Sequence, residues 1–377
     1  MACTMKKILQ NTLNHLRNWQ KRAAIANDEL HILPYRGYGT PERLHLSARV
    51  LEYRNIHPHI ADGAWRNALN MYRRFESDEV PNCALRLQIA HHSYTLHTDQ
   101  EGYANAEIQL NVPLPLSSKR YWYDTHWTLQ ETPNPQTTAA TGEVFIPHGD
   151  IQYGLITDID DTVLKTHVVS KTKMLYYTFF KNAYSRLAFA GTAPLYWAWR
   201  KGNTGQRVNP IFYVSNSPSN LYDMLSDFMQ HNDLPKGPIC LRDIVLPTSQ
   251  KIAAYKEHKY NTIVKILHTY PQWQFVLVGD SGERDADIYT EIAHIFPHRI
   301  KAIYIRSVAD PTRNERVRRV LEQCETCETL LFDDSLAAIQ HSANIGLAQT
   351  RWIDAIAAAQ QRHQPKHAAW EDWIDTY

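Results

Sequence analysis

No run of this 377-residue chain approaches the ~18 uninterrupted apolar residues of a membrane-spanning helix, so no such span is expected. Cysteine is scarce. Five of them, an odd number scattered along the chain, do not make a disulfide scaffold. Cys324-Glu325-Thr326-Cys327 has no second pair to complete a zinc site, and two reduced thiols on a helix are expected there. A dominant sign of charge is missing too. With 40 Lys and Arg against 39 Asp and Glu, net charge is +1, and no global field recruits nucleic acid or acidic partners. Met1 to Arg22 is basic but has no apolar core segment, so it is not read as a secretory signal. A cytoplasmic protein, peripherally associated with membranes, is the resulting expectation.

What is present is apolar material, 44% of residues, enough for sizeable cores in two domains. Leu9, Leu13 and Leu16 share one face of an amphipathic helix within residues 1–30. Residues 31–149 carry short alternating runs, such as Ala84-Leu85-Arg86-Leu87-Gln88-Ile89 and Ala106-Glu107-Ile108-Gln109-Leu110. Asp99-Gln100-Glu101-Gly102 separates two such runs as a hairpin turn would. The expectation is an antiparallel β-sandwich-like accessory domain of about seven strands, interrupted by a helix near Trp65 to Phe75.

From Gly154 the pattern becomes strand–helix alternation, which marks a parallel sheet. Strands are expected near 154–158, 210–215, 240–246, 274–280, 300–305 and 329–333. Helices are expected at Leu221–Gln230, Ala253–Tyr270 and Ile288–Phe296. Asp334 reads as a helix cap after the last strand. This α/β domain fills residues 150–345, and 346–377 reads as a helical tail.

Chemistry enters with Asp158-Ile159-Asp160-Asp161-Thr162 at the end of the apolar run Tyr153 to Thr157. Two carboxylates two residues apart project from the same side of a strand end, where open α/β sheets build their sites. One can attack phosphorus while the other handles the leaving group's proton. A second apolar strand ends in Ser215, with Asn216 beside it, and Ser217 and Pro218 then read as the start of a helix. Lys259 lies in the first turn of a helix striped by Ile263, Ile266 and Leu267, where a cation can neutralise a carboxylate and a transferring phosphate. Lys251, Lys256 and Lys265 compete for that role. A third strand runs into Gly279-Asp280-Ser281-Gly282-Glu283-Arg284-Asp285, whose acids suit Mg²⁺, a hard cation preferring oxygen ligands. The catalytic set is therefore Asp158, Asp160, Ser215 and Lys259. Thr162 and Asn216 are read as substrate-binding, and Asp158, Asp160, Asp280 and Asp285 as metal-binding, with Asp285 acting through water.

These four motifs resemble those of the haloacid dehalogenase superfamily. Leu234-Pro235-Lys236-Gly237-Pro238, Leu241-Arg242-Asp243 and Arg299 to Arg306 narrow the likeness to the actin-patch-associated phosphatidate phosphatase family. Pro34 to Thr40 and Thr98 to Tyr103 resemble the amino-terminal region of its bacterial members. The proline-rich tail of eukaryotic members is absent here, and no cytoskeletal partner is carried over. The resemblance implies a Rossmann-like parallel sheet with helices on both faces and removal of the phosphate of phosphatidate to give diacylglycerol.

Between Asp160 and Ser215 lie 54 residues, and 43 lie between Ser215 and Lys259, leaving no room for a large cap domain. An open site suits a phospholipid at a membrane surface. The first gap holds Leu175 to Phe180 and Leu195-Tyr196-Trp197-Ala198-Trp199 beside basic residues, a composition of interfacial segments or of a helix pair over the sheet. Two alternatives stay open: the same chemistry on a protein, nucleic-acid end or soluble metabolite, and a non-catalytic lipid-surface module. Sequence leaves the oligomeric state open.

Overall fold

The computed structural model describes residues 30–52, 80–117, 120–130, 139–159, 191–242, 251–308 and 310–361. The amphipathic helix expected in residues 1–30, the helix near Trp65 to Phe75 and the end of the tail lie outside these residues. The chain divides into two compact units, Met1–Ile146 and Pro147–Tyr377. Among the described residues no helix is long and apolar enough to cross a membrane.

Among the described residues, the strands of the first unit are joined by hydrogen bonds into one eight-stranded sheet. Its strands are β1 (Leu30–Pro34), β2 (Gly37–Gly39), β3 (Arg43–Glu52), β4 (Ala84–Ile89), β5 (His92–His97), β6 (Tyr103–Gln109), β7 (Trp122–Leu129) and β8 (Ala139–Phe145). Pairing is antiparallel except between β2 and β8. β3 is long enough to take β1 and β2 along one side and β6 along the other. Alternation aims Leu85, Leu87 and Ile89 inward and Arg86 and Gln88 outward. Residues from β1, β3, β4, β6, β7 and β8 share a single core, with Tyr94 and Leu96 of β5 packed against it. The accessory domain expected from alternation is present as a largely antiparallel sheet around one core.

Asp99 to Gly102 is a tight turn, with the Asp99 carboxylate accepting from the N–H groups of Glu101 and Tyr103, both at 2.9 Å. It does not close a hairpin, because β5 returns to β4 while β6 crosses to β3. Gly102 adopts φ 79°, and a Cβ there would lie 2.8 Å from the Val50 carbonyl oxygen.

The second unit holds a six-stranded parallel sheet. Its strands are β9 (Gly154–Asp158), β10 (Ile211–Pro218), β11 (Ile239–Arg242), β12 (Phe275–Asp280), β13 (Ile300–Arg306) and β14 (Glu328–Phe332). Their order is β11-β10-β9-β12-β13-β14. The chain steps outward from β9 on one side and returns beside it on the other, which makes the neighbourhood of β9 and β12 a topological switch point. The helices are α1 (Thr192–Lys201), α2 (Tyr222–His231), α3 (Lys251–Thr269), α4 (Asp285–Ile295), α5 (Pro311–Glu322), α6 (Ser335–Asn344) and α7 (Arg351–Gln361).

Helices α3, α4 and α5 pack in succession as one group, and α1, α6 and α7 as another. Leu155, Ile156, Phe212, Val276, Leu277 and Ile303 are all fully buried, as strands covered on both faces require. Asp334 caps α6, accepting from the Ala337 N–H at 2.9 Å, as its position predicts. Trp199 is a core residue, donating to Ser342 Oγ at 2.8 Å. Leu195 and Ala198 are buried with it, so the helix-over-sheet reading holds for this part of the aromatic segment. Half-buried Trp197 donates to the Asp233 carbonyl at 2.8 Å, while Tyr177 and Phe180 lie outside the described residues. Cys324 and Cys327, free thiols with sulfurs 3.7 Å apart, occupy the turn between α5 and β14 and not a helix.

Candidate active site

β9 delivers Asp158 to the carboxyl edge of the parallel sheet. It pairs with β10 on one side, Val214 opposite Asp158, and with β12 on the other, Val278 opposite Thr157. The Thr157 hydroxyl meets Tyr196 of α1 at 2.6 Å, so strand alternation turns Asp158 to the opposite face. There α3 supplies Lys259.

Lys259 has no exposed surface. Its Nζ lies 3.2 Å from Asp158 Oδ1 and 3.0 Å from Glu283 Oε2, and it donates to Asp285 Oδ1 at 2.5 Å. Burial works against its charge, but Asp158 and Asp285, then Tyr289 and Glu283, outweigh that and hold the ammonium well above the ordinary lysine range. Of its competitors, Lys265 is exposed. Lys259 sits in the third turn of α3 and not the first, because the helix begins at Lys251.

Asp285 opens α4, and its second oxygen accepts the Asp280 N–H at 3.1 Å. Gly279 is required at this approach, since any Cβ there would collide with the Asp285 carboxylate. Asp280 ends β12 and curls the following loop onto itself, its Oδ1 accepting from Gly282 N at 2.5 Å and Glu283 N at 3.1 Å. The start of α5 clamps the same loop. Arg313 donates to the Gly282 carbonyl at 2.8 Å, and Ser281 Oγ donates to Asn314 Oδ1 at 2.5 Å. Tyr289 anchors α4 to β12 by donating to the Val278 carbonyl at 3.1 Å, and burial, then Asp285, push its phenol well above the ordinary range.

Asp158, Asp280 and Asp285 each offer an oxygen within 4.8 Å of the others. Three carboxylates so close are not balanced by one ammonium, and an oxygen-only donor set fits a hard divalent cation. Both Asp285 oxygens are engaged by the protein, which leaves Asp158 and Asp280 as the direct ligands such an ion would take.

Ser215 is fully buried one residue beyond the partner of Asp158, and its Oγ accepts from the Ser217 N–H at 2.9 Å. Its hydroxyl therefore shapes its own turn. Ser217 does not cap a helix. β10 continues through Pro218, a 3₁₀ turn follows at Ser219–Leu221, and α2 starts only at Tyr222. Asn216 is buried and directs Nδ2 toward Glu283 Oε2 at 3.4 Å. Asp160 and Thr162 lie outside the described residues, as do residues 160–190 and 243–250, where a cap would be inserted. Sequence reasoning passed over Glu283. Its signal was its place in the Gly-bearing loop, two residues before Asp285.

Residues 153–307 match the family model described as phosphatidate phosphatase APP1, catalytic domain. This segment is similar to that family's catalytic domain. The chain is 36% identical over 170 residues to "Phosphatidate phosphatase APP1" of Saccharomyces cerevisiae, a stretch covering 44% of this chain and 28% of the yeast protein. It is 30% identical over 155 residues to an uncharacterized protein of Schizosaccharomyces pombe, covering 41% of this chain and 25% of that one. The chain thus aligns with about a quarter of the length of these curated relatives. The APP1-type segment contains Asp158, Asp160, Ser215, Lys259, Asp280 and Asp285, and it starts beyond the first unit. Among solved structures, a β-glucuronidase of Parabacteroides merdae aligns over 80% of this chain and 39% of its own with a TM-score of 0.24 and 10% identity, a likeness that carries no argument.

Proposed function

We propose that this chain is a Mg²⁺-dependent phosphatidate phosphatase of haloacid dehalogenase type, hydrolysing phosphatidate to diacylglycerol through an aspartyl-phosphate. One observation carries the reading. Within an APP1-type segment, Asp158 stands at a strand end 3.2 Å from a fully buried lysine and beside Asp280 and Asp285.

Asp158 attacks the phosphorus, the bond from phosphorus to the glycerol oxygen breaks, and Asp160 protonates the departing alkoxide. Asp160 then takes a proton from the water that cleaves the aspartyl-phosphate, returning Asp158 and releasing phosphate. Lys259 offsets charge on the nucleophile and on the phosphoryl oxygens. Ser215 and Asn216 line the same strand end, where Thr162 completes substrate binding. Mg²⁺, held by Asp158, Asp280 and Asp160, supplies further neutralisation of the phosphoryl oxygens when bound. The substrate is a phospholipid at a membrane surface, and the protein works as a cytoplasmic, peripherally attached enzyme.

Phosphate release from phosphatidate vesicles should vanish with excess chelator and return with Mg²⁺. Full activity in chelator, or rescue by Zn²⁺ alone, would overturn the metal assignment. The substrate class is tested by offering phosphatidate vesicles, a phosphopeptide and a soluble phosphomonoester at matched phosphate concentration. Vesicles should be preferred at least tenfold, roughly the scale of one apolar side chain buried at an interface. Equal rates on all three would move the reading to a general phosphomonoesterase.

A further inference from the structure

Lys259 is the residue through which this fold meets a phosphate, yet it is fully enclosed by three carboxylates. It can reach an incoming phosphate only by giving up one of them. Asp158 is the nucleophile, its side chain 3% exposed, and Asp285 is fully buried and tied to the Asp280 N–H. Glu283 differs from both. Its side chain is 26% exposed, and it rises from the loop between β12 and α4. The oxygen that meets Lys259 at 3.0 Å is the same one that Asn216 Nδ2 reaches at 3.4 Å. Donors from a helix, α3, and from the end of β10 thus converge on one anionic oxygen, as they would on an oxygen of a phosphate.

We propose that the Glu283 carboxylate is a placeholder in the phosphate seat: it satisfies Lys259 and Asn216 in the empty site and swings outward when a phosphomonoester dianion arrives. This rests on the phosphatase reading and gives its site a specificity element. A monoanionic diester brings less charge than the monoester, and so displaces the carboxylate less readily. The loop is built for such an exchange. Its backbone is held by Asp280 and Arg313 and its Ser281 side chain by Asn314, while the Glu283 side chain is held by Lys259 and Asn216.

Inorganic phosphate binding to the full chain, measured by calorimetry with Mg²⁺ present, tests the placeholder against a permanent orienting partner. Replacing Glu283 with Gln or Ala removes the competing anion, so phosphate should bind roughly tenfold tighter, the scale of one charge-assisted hydrogen bond. KM for a soluble phosphomonoester should fall in parallel. Affinity that is unchanged or weaker in the variants, with a lower kcat, overturns the proposal, since an orienting partner of Lys259 gives that result. A phosphate-bound crystal structure of the unmodified protein provides a check that no substitution can confound. Glu283 should be off Lys259, and phosphate bound with the Glu283–Lys259 pair intact contradicts the idea. Tighter phosphate binding by the variants without any hydrolysis would support the seat while sinking the phosphatase reading. Hydrolysis with unaltered phosphate affinity would do the reverse.

Discussion

Asp158→Asn should abolish phosphate release from phosphatidate, by on the order of 10³-fold or more, while the protein stays folded. The amide is nearly the same size as the carboxylate but has no oxygen able to form the acyl phosphate. The substitution removes one of three carboxylates around Lys259, and Asp285 and Glu283 still hold the ammonium at 2.5 and 3.0 Å. Far-ultraviolet circular dichroism and the unfolding midpoint should therefore stay near those of the unmodified protein. Turnover within tenfold of the parent would remove Asp158 from the nucleophile's place.

Lys259→Met should do something different, and larger. It removes the charge that compensates two buried carboxylates, a loss of about 3–5 kcal/mol when one partner of a buried pair is deleted. Both stability and turnover should collapse together, whereas Asp158→Asn separates them. The lysine's charge is held well above its ordinary range, by burial outweighed by the Asp158 and Asp285 carboxylates. A raised folded-state value contributes stability that is complete below the unfolded lysine value of about 10.4 and is lost only as pH climbs through the folded one. The stability gap between parent and Lys259→Met should therefore be flat from about pH 6 to 9. A gap that closes within that window would mean that Lys259 titrates in it, contrary to its burial among carboxylates.

Much of the site was legible because strand ends advertise themselves. An apolar run that stops at an acid, twice, in a chain that alternates strand and helix, brings Asp158 and Asp280 to one sheet edge without any knowledge of contacts. Lys259 stood out less, since a lysine on a helix reads the same whether it is solvated or buried, and only packing separates it from Lys265. Glu283 was hard to single out for the same reason, as a glutamate in a glycine-bearing loop is ordinarily surface. The helix placed at Ser217 and Pro218 was misjudged because capping residues also end strands, and here Ser215 and Ser217 hydrogen-bond each other.

In the first unit, alternation identified strands but not their partners. The turn at Asp99 to Gly102 has the chemistry of a hairpin and the topology of a crossing between distant strands. Helix α5 escaped notice because only Val317 and Leu321 are buried on it, leaving no apolar stripe to read. Its start was nonetheless written in Asp310 and Pro311, an N-cap accepting from Arg313 and a proline in the first turn.

The most direct measurement is the fate of the phosphate itself. Unmodified protein is mixed for less than one turnover with Mg²⁺ and vesicles of phosphatidate labelled in the phosphate. After an acid quench, its peptides are mapped. The account predicts one hydroxylamine-labile label, on the peptide bearing Asp158, and none when Asp158→Asn is added. Label on another residue, or a burst of phosphate release with no labelled enzyme, would contradict it.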